Sequence, residues 1–121
     1  MEYIDIQAFT YEQRPGMLDE LTVAVCNCGG WIVDRKALSP TAMRFEIEIQ
    51  LYSVLDLYAS ILTTGIELSR PAHETLTELC TRRKHRILTA SAGHIVALRL
   101  DISFLDEVSI HSQAGTPSAS A

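Results

Sequence analysis

The chain has 121 residues, 47% of them hydrophobic and 21% charged, with a formal charge of −5 at pH 7. That length suits one domain, since two independent cores would each bury too little apolar surface, and the composition is that of a globular core rather than a disordered chain. The charge argues against nucleic acid as a partner, no apolar run approaches the ~20 residues that span a bilayer, and Met1-Glu2-Tyr3-Ile4-Asp5 is not a basic region leading into an apolar one, so neither membrane nor export is expected.

Residues 3–9 place Ile4, Ile6 and Ala8 on one side and Asp5 and Gln7 on the other, which predicts a strand with one buried face. The segment Thr10 to Gly16 interrupts that pattern. Pro15 is tolerated in the first turn of a helix, where N–H groups have no intrahelical partner. Leu18, Leu21, Thr22, Val25 and Cys28 then recur at spacings of three and four, predicting an amphipathic helix with Asp19 and Glu20 toward its positive end. Gly29-Gly30 ends it, and a strand from about Trp31 to Ala37 follows.

Met43, Phe45, Ile47, Ile49 and Leu51 alternate with Arg44, Glu46, Glu48 and Gln50, an alternation that only an extended chain sorts by face. Leu38-Ser39-Pro40-Thr41 supplies the turn that makes this strand and its predecessor an antiparallel hairpin. Ser53 is placed to cap a second helix with Val54, Leu57, Tyr58, Ile61 and Leu62 on its apolar side, stopped by Gly65. Ile66 and Leu68 mark a short strand. Pro71 opens a third helix, with Leu76, Leu79 and Cys80 inward, ending near Arg86. Val96, Leu98, Leu100 and Ile102 share a face of a final strand, with which Ile87-Leu88-Thr89 has the composition to pair. Residues 112–121 lack large apolar groups, so ordering them would cost entropy without burial, and a disordered tail is expected.

The order predicts an α+β fold: a ferredoxin-like βαββαβ sandwich with an added C-terminal helix and strand. It forms a single domain over residues 1–111. Two helices are expected on one sheet face, leaving the other open to a second copy or to the extension.

Arg14-Pro15-Gly16-Met17-Leu18, followed one helix later by Gly29-Gly30-Trp31-Ile32, resembles the signature of ACT domains, which are regulatory modules. In that family an acidic or amide residue precedes Arg-Pro-Gly-x-Leu, a place that Gln13 fills. The resemblance covers about residues 3–70, making 71–111 an extension. It implies a homodimer that binds an amino acid or another small carboxylate at or near its interface, through Gln13, Arg14, Pro15, Gly16, Met17, Leu18, Gly29, Gly30 and Trp31. Gly16 would allow close backbone approach, Pro15 would stiffen the turn, and N–H groups at the helix start would face the anion. Trp31 stands where the family commonly has an Asn that touches ligand, and an indole offers one donor where an amide offers both donor and acceptor. Trp31 is expected at an interface rather than in the core.

Other constellations carry less chemistry. Cys26, Cys28 and Cys80 form an odd set without framework spacing, which suits reduced thiols and a cytoplasmic location. Cys26 and Cys28 lack the second ligand pair a zinc site needs, so no metal and no cofactor are expected. His73, His85, His94 and His111 are scattered; only His73-Glu74 hints at acid–base work, and a solvated helix start explains it. Arg82-Arg83-Lys84-His85-Arg86 suits the negative end of the third helix and lacks the aromatics of a nucleic-acid surface. No nucleophile elbow, P-loop or dinucleotide fingerprint occurs. The expectation is a non-catalytic regulatory module, with a protein-interaction or assembly domain as the alternative and a small enzyme third.

Overall fold

The structure, a computed structural model, describes residues 3–88 and 94–105, the side chains of 82–88 excepted. Strand β1 (Tyr3–Thr10) buries Ile6, Ala8 and Thr10 and exposes Asp5 and Gln7. Helix α1 (Arg14–Asn27) starts after Gln13, whose extended backbone makes it the N-cap, with Pro15 in the first turn. It buries Met17, Leu21 and Val25, while Leu18, Thr22 and Cys28 lie half-buried at the stripe's edges. Gly29, at φ 77°, ends it in the left-handed conformation that glycine adopts without a steric penalty.

Strands β2 (Trp31–Ser39) and β3 (Ala42–Gln50) form the expected antiparallel hairpin, with register irregularities at Ile32/Asp34 and Ala37/Ser39. Phe45, Ile47 and Ile49 are fully buried. Leu51, read above as the end of this strand, instead begins a 3-10 turn (Leu51–Ser53) that leads into α2 (Val54–Thr63). Ser53 sits at the N-cap but is buried and makes no capping bond through its side chain. Helix α2 buries Val54, Leu57 and Ile61; Leu62, expected on that side, is exposed.

After Gly65 come β4 (Ile66–Leu68) and α3 (Arg70–Leu88), capped by Ser69, whose Oγ accepts from the Ala72 N–H. Ile87 and Leu88 belong to this helix and do not pair with the last strand, because helical hydrogen bonding continues two residues beyond the expected stop; Thr89 lies outside the described residues. Strand β5 (Ile95–Phe104) buries Val96, Leu98, Leu100, Ile102 and Phe104 on one face. The expected tail, 112–121, and His111 also lie outside the described residues.

The sheet order is β2-β3-β5-β1-β4, so the molecule is α+β with a mixed five-stranded sheet and three helices, compatible with a ferredoxin-like class. Strands β1 and β3 do not pair with each other. Strand β5 lies between them, parallel to β1 from Tyr3↔Ala97 to Thr10↔Phe104 and antiparallel to β3 from Ala42↔Ser103 to Gln50↔Ile95. Burial explains its central place: Ala97 and Asp101 are buried on the face opposite the core as well, and a strand buried on both sides belongs inside a sheet. Met17, Leu21 and Val25 of α1, Leu57 and Ile61 of α2, and Leu76 and Leu79 of α3 join one core cluster with the inward strand residues. All three helices therefore lie on the same face. Among the described residues, no helix is long and apolar enough to cross a membrane.

Candidate functional site

The corner between β1 and α1 is held by Thr10, which is fully buried. Its hydroxyl donates to the Gly65 carbonyl at 2.8 Å and accepts from the Glu12 N–H at 3.1 Å. One side chain thus ties the segment before the helix to the turn between α2 and β4. Glu12 lies against Gly65, where an added Cβ would meet the Glu12 Cγ at 3.0 Å. This rigid corner opens into a cleft lined by Tyr11, Glu12, Gln13, Gly16, Met17 and Glu20.

The residues expected to bind ligand fall into separate groups. Gln13 and Gly16 line this cleft, and Gly16 leaves open space where a Cβ would stand. Met17 contributes to the cleft wall but is otherwise buried in the core, with Leu18 packed against the same cluster. Pro15 is exposed in the first helical turn. Arg14 folds away: its Nη2 donates to the Pro40 carbonyl at 2.7 Å, and its guanidinium lies 5.0 Å above the Phe104 ring. Arg14 thereby joins the hairpin turn and the end of β5 to the helix start. Gly30 is buried against β3, where a Cβ would come within 3.1 Å of the Glu48 carbonyl.

Trp31 is 45% exposed. It lines a different cleft with Thr22, Cys26, Ile32 and Arg35. The 14 residues of α1, about 21 Å long at 1.5 Å per residue, separate this end from the Gln13–Gly16 end. Within one copy, then, the two halves of the expected site do not meet. Tyr11, Glu12 and Glu20 were missed by the sequence reading. Glu20 had a signal, since it follows Gly16 by four residues and so shares its helix face.

The sheet face away from the helices carries paired charges. Arg44 donates to both oxygens of Asp101, at 2.8 and 3.0 Å, and Gln7 donates to the same carboxylate at 3.2 Å. The hydrogen bond to Asp101 holds the Arg44 guanidinium charged even beyond its ordinary range. Arg99 reaches Asp5 at 2.9 Å and lies 5.3 Å over the Tyr3 ring, and Lys36 meets Glu46 at 3.5 Å. Desolvation, and after it the Glu46 carboxylate, push the Tyr3 phenol above its usual 10.0.

The chemistry expected of the histidines and cysteines finds little geometry. His73 Nδ1 shares a hydrogen bond with the Tyr58 hydroxyl, while Glu74 faces Arg70 at 3.6 Å, so His73 and Glu74 form no acid–base pair. Cys28 contacts Ser60 Oγ at 3.6 Å and Cys26 is exposed. No group of three or more metal-ligating side chains occurs among the described residues. The backbone of 82–86 is helical; its side chains lie outside the description.

No protein-family model matches the chain, and no curated protein or solved structure matches it.

Proposed function

We propose that the chain is a non-catalytic, ACT-like regulatory module with a ferredoxin-like fold that binds a free amino acid in the cleft between β1 and α1. The observation carrying this reading is the meeting of two opposite preferences at one corner. The start of α1 favours a carboxylate, because first-turn N–H groups, which Pro15 lacks, have no intrahelical partner and the helix dipole is positive there. Glu12 and Glu20 in the same cleft favour an ammonium group. A zwitterion satisfies both, whereas a simple carboxylate would meet two like charges. The expected ligand class, amino acid or small carboxylate, narrows to the amino acid.

Two copies are proposed to associate through the edge of β2. That strand is outermost, nine residues long and exposed along nearly its whole length. The charged sheet face is the poorer choice, since its cations and carboxylates already satisfy each other. Edge pairing also places Trp31 at the contact between copies.

A thermal-shift screen of the protein amino acids beside their deaminated carboxylates tests the ligand. An amino acid should raise the melting temperature by mass action and its deaminated form should not, and Glu12→Gln with Glu20→Gln should weaken the effect. Equal response to both ligand forms, or to neither, defeats the reading.

A further inference from the structure

The outer surface of the helical layer carries an apolar stripe that the fold leaves uncovered. Leu55, Ala59 and Leu62 of α2 recur at spacings of four and three, and Tyr52 in the preceding turn continues the series. Such spacing puts them on one side of the helix, and that side is away from the core. Leu55, in the first turn of α2, is 46% exposed and Leu62, in its last turn, 44%. Beside them runs a groove between α1 and α2, where Val23, 57% exposed, faces Ser60 and Thr63. Ala59 precedes Thr63 by one helical turn and so carries the surface from the groove to the leucines.

Charge indicates what fits there. Asp19 and Glu20 line the groove, and Asp56 lies one position past Leu55 on the exposed side of α2. Among the described side chains of α1 and α2 the only cation is Arg14, which folds toward Pro40 at the far side of the helix start. An apolar strip flanked on its α1 side by carboxylates complements a helix with one apolar and one basic face. A second copy offers no match through this same surface, because two-fold pairing would set like charges opposite each other.

We infer that the α1–α2 surface docks a cationic amphipathic helix of a partner protein. The apolar face of that helix lies on Val23, Leu55, Ala59 and Leu62, and its basic residues reach Asp19 and Asp56. The surface is separate from the amino-acid cleft except at Glu20, which borders both.

The test uses the full chain and a fluorescent synthetic amphipathic helix of leucine and lysine, with a leucine–glutamate helix of the same pattern and phosphatidylcholine vesicles as comparisons. Saturable binding of the lysine helix is expected, with amide shifts centred on Val23 and residues 55–62. Leu55→Ser with Leu62→Ser, and separately Asp19→Lys with Asp56→Lys, should each weaken it at least tenfold, about 1.4 kcal/mol. These positions are exposed, so circular dichroism should show both variants folded. Absence of binding, undiminished binding by either variant, shifts confined to the sheet face, equal affinity for the glutamate helix, or capture by the vesicles would each overturn the inference.

Discussion

Gly16 separates a structural role from a binding role at a single residue. It lies in the first turn of α1 and has nothing within 4 Å of an added Cβ, so the protein's own packing does not require glycine there. Alanine in a helix restricts the unfolded chain, and Gly16→Ala should raise stability by about 0.5–1 kcal/mol in urea denaturation. The same methyl group enters the proposed cleft, so the thermal shift by the amino acid should shrink while the fold gains. Tyr3 supplies a test of the open sheet face. Its phenol titrates above 10.0 in the folded state, so its contribution to stability is complete below about pH 10 and is lost as pH rises through the raised value. Wild type should therefore lose stability relative to Tyr3→Phe as pH rises above about 10, whereas parallel curves would deny the shift. Arg14 shows the limit of reading residues from a motif. Its identity was legible, but its engagement with Pro40 and Phe104 depends on contacts with residues far along the chain.

Among elements, β5 ties the sheet together, pairing with β1 on one side and β3 on the other. Alternation made it legible as a strand, and the whole order of strands and helices followed from local pattern. Its place in the sheet was not legible, because pairing is set by contacts far apart in sequence and the burial of Ala97 and Asp101 has no local signature. Arg44 and Asp101, 57 positions apart, meet only because β5 lies beside β3. The missed cleft residues have the same origin: Glu12 reaches its position through Thr10 and Gly65, which join two loops distant in the chain. Since β5 bonds to both β1 and β3, its amides should exchange more slowly than those of the outermost strand β2. Leu100→Ala, at a site 1% exposed in the centre of the core, should cost about 2–5 kcal/mol in chemical denaturation. A loss below about 1 kcal/mol would mean that β5 is not the central strand of the folded state.

At the scale of the whole molecule, one face of the sheet is closed by three helices and the other presents charges that pair among themselves. Among the described residues, three further surfaces stand out: the long edge at β2, the apolar strip on α2 and, sharing Glu20 with that strip's groove, the cleft at the start of α1. Only the last combines a fixed backbone corner with carboxylates and helix-start donors, which makes it the centre of the functional account. The direct measurement is an amide spectrum of the full isotope-labelled chain titrated with the amino acid that most raises its melting temperature. Saturable shifts concentrated at Glu12, Gln13, Gly16 and Glu20 are the predicted result. Shifts centred elsewhere, or no response to any amino acid, would contradict it.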